Sequence, residues 1–235
     1  MFSRRLKFDL RPNRLAAMLE LMKGAGEQII DLTLSNPTRS GIEYPGPEIE
    51  SAFAMSAALP YTPDPLGLPS AREAVCAYYQ ERGAAVVPGD VVITASTSEA
   101  YSFLFRLLAD AGDRVLVPDP GYPLFDYLLR LDSLRRSSYQ VLYNHGWWYD
   151  TGSMNLDRSA KAVVVISPGN PSGNYVRRDE WALIAARCAA NGSAVICDEV
   201  FHDFPHRELP VSPGMTGEAE TLTLVLNGFS KTAGL

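Results

Sequence analysis

Ala162-Val-Val-Val-Ile166 is an unbroken apolar run, followed by Ser167-Pro-Gly-Asn-Pro-Ser-Gly173, a helical pattern over residues 178–190, and a second apolar run, Ala194-Val-Ile-Cys197. A short strand that is apolar at every position has no polar face to offer water, so it reads as buried on both sides. Two such strands joined through a helix form a parallel pair, because the helix carries the chain back across the sheet. Further runs rich in β-branched residues lie outward of this unit at 91–94, 114–117 and 221–226, with helical patterns at 98–110 and 122–131. Upstream, residues 48–59 and 70–82 read as helices separated by a proline-studded loop, 60–69. The pattern predicts an α/β fold with a mostly parallel central sheet and helices on both faces.

Ligands of such sheets sit outside the carboxyl ends of the strands, so the residues just after each run are the candidates. They are Ser96, Thr97 and Ser98 after the first run, then Asp119, Pro120, Gly121 and Tyr122 after the second. Asn170 lies in the loop after the third, Asp198 ends the fourth, and Lys231 follows the last. Hydroxyls, free amides, an aromatic ring, a carboxamide, a carboxylate and a lysine together suit an anionic, planar, nitrogen-containing ligand with an electrophilic carbon. Each residue also has a plainer reading. Ser96-Thr97-Ser98 opens a helix, where free amides favour a phosphate and where Ser or Thr equally serves as an ordinary N-cap. A carboxylate at the end of a buried strand needs a donor or a cation; for Asp198 a protonated ring nitrogen, an arginine or a backbone cap would each serve. Lys231 is one of only four lysines, against 17 arginines. A desolvated lysine is a nucleophilic amine and an arginine is not, although a solvated surface lysine is the simpler alternative. Asn170-Pro-Ser-Gly173 is turn chemistry, and Tyr122 either stacks on a ring or packs in the core.

Composition narrows the function classes. The 235 residues carry 21 basic against 27 acidic side chains, a net charge of −6, which argues against a general nucleic-acid binder. No apolar run approaches the roughly 18–20 residues of a membrane span. Three cysteines with no CxxC pair point away from a disulfide scaffold and toward a reducing cytoplasm. Residues 1–14 hold five basic side chains and one acid, loosely like a transit peptide, but Pro12 followed by Leu15, Met18, Leu19 and Met22 reads as a helix start within a folded arm. Asp198-Glu199 imitates a Walker B strand, yet there is no GxxxxGK[ST]. Pro205 between His202 and His206 breaks the helix that an HExxH metal site needs, so no metal is expected. Gly24-Ala-Gly26 lacks the third glycine of a dinucleotide loop.

Taken in order, the segments resemble the class I/II aminotransferases, fold-type-I enzymes that use pyridoxal 5′-phosphate. The resemblance runs from about Asp31 to the last residue. It rests on Leu34-Ser-Asn-Pro37, Tyr61 with Gly67-Leu-Pro69, Thr94-Ala-Ser-Thr-Ser-Glu-Ala100 and Gly112-Asp-Arg-Val-Leu-Val-Pro118. It continues through Pro120-Gly-Tyr-Pro123, Asn170-Pro-Ser-Gly173, Asp198-Glu-Val-Phe201 and Gly228-Phe-Ser-Lys-Thr-Ala-Gly-Leu235. It implies that Lys231 holds the cofactor as a Schiff base and then shuttles the substrate proton, while Asp198 keeps the pyridine nitrogen protonated. Asn170 would bond the ring 3′-oxygen, Tyr122 would stack on the ring, and Ser96, Thr97 and Ser98 would form the phosphate cup. Tyr61 would reach the phosphate of a neighbouring subunit, implying a homodimer, and Ser35 would lie near the substrate carboxylate. Phe201 departs from the family's usual tyrosine, which implies a raised Schiff-base pKa through a lost hydrogen bond to the 3′-oxygen.

The family's lysine motif runs on to a phosphate-binding arginine and then to a small C-terminal domain bearing the arginine for the substrate carboxylate, whereas this sequence stops at Leu235. The expected organisation is an arm and small-domain segment over residues 1–45, then a cofactor-binding large domain over 46–235, incomplete at its end, with the C-terminal small domain absent. Such a fragment is expected to aggregate and to turn over little substrate. The activity implied is transfer of an amino group between an amino acid and a 2-oxo acid by a ping-pong cycle in the cytoplasm, with no nucleic-acid or membrane partner. Two alternatives stand beside it. A C–S (β-elimination) lyase on the same scaffold would release pyruvate and ammonia with no added 2-oxo acid. A non-catalytic pyridoxal-phosphate-binding module is disfavoured by the retained lysine and by the lack of a helix-turn-helix pattern before Asp31. Trp147 and Trp148 either line a side-chain pocket or simply pack.

Overall fold

In the computed structural model, which describes residues 1–54, 59–206, 212, 214 and 221–235, the two apolar runs lie side by side at the heart of one sheet. They are β4 (Ala160–Ile166) and β5 (Ala194–Asp198), parallel, with Ile166 opposite Asp198. β1 (Arg114–Asp119) flanks β4, and β2 (Arg135–Tyr143) and β3 (Trp147–Tyr149) extend the sheet beyond it. β6 (Thr223–Leu226) lies on the other side of β5, giving the order β3-β2-β1-β4-β5-β6. Every pairing is parallel except that of β2 with β3.

Alternation along β4 shows why its run is apolar throughout. Val163 and Val165 pack on one face with Trp181, Ile184 and Cys188 of α6 (Arg178–Asn191). Val164 and Ile166 pack on the other with Tyr101 and Phe105 of α4 (Thr97–Leu108) and Phe125 and Leu129 of α5 (Phe125–Leu131). Helices therefore seal both faces, as the pattern requires.

Several expected elements shift. Residues 91–94 are not a sheet strand: Val91 is extended, but the Ile93 N–H bonds the Leu66 carbonyl at 2.9 Å rather than a neighbouring strand. β2 and β3 were not legible. In β2 only Tyr139 and Val141 are buried among polar, outward-facing neighbours, and β3 is three residues long. β3 decides the reading of Trp147 in favour of packing, since its ring rests against the core. α5 begins at Phe125 rather than Tyr122. The expected helix at 48–59 is observed as α2 (Gly46–Phe53), and residues 55–58 lie outside the described residues. α3 (Pro69–Gln80) starts on a proline, which suits the first helical turn.

α1 (Arg14–Gly24) is capped by Asn13, whose side chain accepts from the Ala16 amide at 2.8 Å, and buries none of its residues. Ahead of it, the Phe8 ring lies 4.7 Å from that of Tyr127 with the Arg130 guanidinium 4.8 Å over it, so the arm is tied to α5.

The turn leaving β1 admits only glycine at its tightest point, because a Cβ on Gly121 would stand 2.3 Å from the Pro118 carbonyl oxygen. Backbone cannot swing aside as a side-chain tip can. Gly121→Ala is therefore expected to destabilise the chain by about 1–3 kcal/mol, read as a lower urea midpoint.

Candidate active site

The carboxyl ends of β1, β4, β5 and β6 lie along one rim, and the site is built there from Asp198 outward. Asp198 is only 9% exposed, and burial pushes its carboxyl up from the ordinary range. Two donors oppose that shift: the Val200 N–H reaches Oδ1 at 3.0 Å and the Tyr101 hydroxyl reaches Oδ2 at 2.7 Å. Among the described residues no basic side chain forms an ion pair with it. Its neighbour Glu199 is wholly buried, accepts a hydrogen bond from Ser212, and is pushed up to about 7 by burial.

Lys231 lies on α7 (Phe229–Thr232), the short helix after β6. Its Nζ donates to the Ser35 carbonyl at 3.2 Å and stands 5.2 Å from the centre of the Phe201 ring. The Tyr44 hydroxyl donates to the Lys231 carbonyl, so the segment over residues 35–44 closes over this helix. A Cβ on Gly228 would lie 3.4 Å from Thr97 Cγ2, which places the start of α4 against the start of α7. Ser96 caps α4, its Oγ accepting from the Glu99 amide at 3.1 Å, while Glu99 returns a carboxylate to the Ala95 amide at 2.7 Å. The plain N-cap reading of Ser96 is thus realised. The amides of Thr97 and Ser98 precede the intrahelical ladder, which begins with Ala100 donating to Ser96, and so they stand at the positive end of the helix.

Tyr122 is 37% exposed and meets Phe125 edge-on at 5.8 Å; Phe125 in turn meets Tyr101 edge-on at 5.3 Å. One aromatic chain therefore runs from Tyr122 to the residue that holds Asp198. Asn170 is half-buried in the loop after β4, which is closed by hydrogen bonds from the Gly169 amide to Asn174 and from the Gly173 amide to Gly169. The structure thus links Asp198 to Tyr122 through the core, sets Thr97 against the lysine helix, and joins Lys231 to Ser35. Tyr61, 91% exposed on the loop between α2 and α3, has no hydrogen bond to these residues among those described.

Sequence reasoning missed Tyr101, Tyr44 and a polar cluster under α7. In that cluster Asp203 accepts from Tyr78 at 2.9 Å and from Arg82 at 3.1 Å, and Thr232 of α7 reaches it at 3.3 Å. Asn227 donates to the Tyr78 hydroxyl at 3.2 Å, so the lysine helix is moored at its start to α3 and at its end to Asp203. Burial and Asp203 push Tyr78 up to about 12, keeping it a donor. Among the described residues there is no cluster of three or more potential metal ligands, and no helix is long and apolar enough to cross a membrane.

Residues 30–235 match the family model for aminotransferase class I and II. The chain belongs to that family. It is 34% identical to the valine–pyruvate aminotransferase of Mycobacterium tuberculosis over 71% of its own length and 43% of the relative's. It is 28% identical to the glutamate–pyruvate aminotransferase AlaA of Haemophilus influenzae over 88% of its length and 52% of that protein's. Among solved structures, an alanine aminotransferase from Pyrococcus furiosus superposes with a TM-score of 0.85 at 26% identity, covering 99% of this chain and 60% of that one. The sheet and its helices are accordingly the large-domain fold of the class I and II aminotransferases. The chain spans about half the length of the curated relatives it matches, between 43% and 55% for three of them.

Proposed function

We propose that this chain carries the cofactor-binding part of a pyridoxal-phosphate-dependent aminotransferase, which moves an amino group between an amino acid and a 2-oxo acid. The observation that carries the reading is Asp198: a buried carboxylate supplied with neutral donors and with no cation of its own among the described residues. A protonated ring nitrogen complements such a carboxylate, and the other residues fit the rest of the group. Thr97 and Ser98 offer helix-start amides to a phosphate. Tyr122 presents a half-open ring for stacking, Asn170 an amide for a phenolic oxygen, and Lys231 a primary amine. Bound there, the cofactor supplies an aldehyde carbon for amine capture and a ring that withdraws electrons.

The protein's share is placement. Asp198 holds the ring proton, and the Lys231 amine, presented from a helix moored at both ends, takes the proton from the substrate carbon and returns it. Residues 46–235 form the cofactor-binding domain in this reading and residues 1–45 the arm and a small-domain segment. Names such as valine–pyruvate and glutamate–pyruvate aminotransferase support an amino acid and a 2-oxo acid as the exchanged pair. A cytoplasmic homodimer completes it, with Tyr61 exposed and so free to face the second copy's phosphate.

Borohydride trapping of added pyridoxal 5′-phosphate, followed by peptide mapping, tests the reading. The expected adduct is confined to Lys231 and absent from Lys231→Ala. Modification spread over the four lysines, or unchanged in Lys231→Ala, would sink it.

A further inference from the structure

We propose that Tyr101 is a positioning residue of this site, its hydroxyl holding the Asp198 carboxylate from inside the core in the orientation that meets a protonated ring nitrogen. The inference rests on the pyridoxal-phosphate reading above and adds to it a residue outside the rim. Its basis is geometric. The Tyr101 ring is 1% exposed and is clamped by Phe105 at 5.6 Å and Phe125 at 5.3 Å, so the hydroxyl has one place to point. There it donates to Oδ2 at 2.7 Å, while the Val200 amide occupies Oδ1 at 3.0 Å. A carboxylate has about four lone-pair directions, so two remain for an incoming donor. A ring fixed by packing is a preorganised donor, unlike a surface hydroxyl that must be ordered at binding.

The groups around Asp198 leave Tyr101 as its one side-chain donor among those described. Cys197 on its own strand, Glu199 just beyond the strand's end, and Tyr149 from β3 bring no positive charge toward it. Burial draws the Asp198 carboxyl upward, and the Tyr101 hydroxyl draws it back. Tyr101 itself is held well above the ordinary phenol range by burial and by Asp198, so it stays a donor. Without it the carboxyl would take up a proton more readily, and a neutral carboxyl cannot pair with a cationic ring. The deficit is therefore largest in acid and narrows as pH rises and Asp198 ionises.

The test uses pyridoxamine 5′-phosphate, which makes no covalent bond to Lys231, and its benzene analogue with carbon in place of the ring nitrogen. Dissociation constants are measured by fluorescence titration from acid to alkaline pH. For Tyr101→Phe the expected result is an affinity for pyridoxamine phosphate about tenfold or more weaker in acid, the loss of one hydrogen bond to a charged group, with the gap shrinking toward alkaline pH. The benzene analogue should bind both proteins alike. Phe105→Leu, which loosens one side of the clamp but keeps the hydroxyl, should weaken pyridoxamine phosphate less than Tyr101→Phe does and leave the benzene analogue unchanged. Equal weakening of both compounds by Tyr101→Phe, or no pH-dependent difference from wild type, overturns the inference and leaves the cofactor reading standing. A wild-type chain that binds no pyridoxamine phosphate and forms no Lys231 adduct overturns both.

Discussion

Asp198→Ala is expected to weaken pyridoxamine 5′-phosphate binding by roughly two orders of magnitude, while leaving the melting temperature of the ligand-free chain nearly unchanged. The first half follows from charge. Truncating one member of a buried, hydrogen-bonded ion pair costs about 2–5 kcal/mol, because the surviving charge stays buried without its partner. The second half follows from the same burial in the other direction. In the ligand-free chain the carboxylate is desolvated with only the Tyr101 hydroxyl and the Val200 amide against it, and its removal relieves that penalty while orphaning the two donors. Asp198→Asn, which keeps an acceptor and discards the charge, should fall between wild type and alanine in affinity. A large drop in ligand-free stability with unaltered affinity would show Asp198 to be a structural cap instead.

Glu180→Ala is expected to lower the stability of the chain by about 2–4 kcal/mol, the cost of leaving two backbone amides without their acceptor. Glu180 sits in the first turn of α6 with its side chain 4% exposed. One carboxylate oxygen accepts from the Tyr149 amide at 2.8 Å and is ion-paired with the Arg177 guanidinium at 3.1 Å, and the other accepts from the Arg177 amide at 2.7 Å. The side chain thus fastens a helix to β3 and closes its own N-terminus. Alanine would strand the Tyr149 amide and the Arg177 amide together. Glu180→Gln keeps one acceptor and should lose less than half as much. Urea unfolding followed by circular dichroism reads both, as a shifted midpoint at constant slope.

What could be read beforehand divides along a physical line. β4 and β5 are apolar at nearly every position because both faces are covered, and that is visible in any window of residues. β2 is polar at most positions and takes its place through backbone pairing with β1, which leaves little trace in side-chain type. The run at 91–94 carries the composition of a strand but spends its Ile93 amide on the Leu66 carbonyl. Strand-end logic singled out Asp198, Tyr122, Asn170 and Lys231 as candidates, and topology brings such positions to one rim. It passed over Tyr101, whose spacing to Phe105 on α4 reads as core. It is core, and the role proposed for it lies in one oxygen atom whose partner is 97 residues away. Tyr78 and Arg82 met Asp203 in the same hidden way, across 125 and 121 residues.

The strand order carries a further consequence for the assembled molecule. The proposed ligand contacts come from the start of α4, the loop after β4, the tip of β5 and the helix after β6, so they are spread along the chain from Thr97 to Lys231. A molecule spanning them binds only when the sheet is closed as far as β6, whose four residues include a single buried one, Leu226. By mass action such a ligand adds about 2.7 kcal/mol to the native state at a hundred times its dissociation constant. The cofactor would then be a staple as well as a reagent, tying β6 to the centre of the sheet.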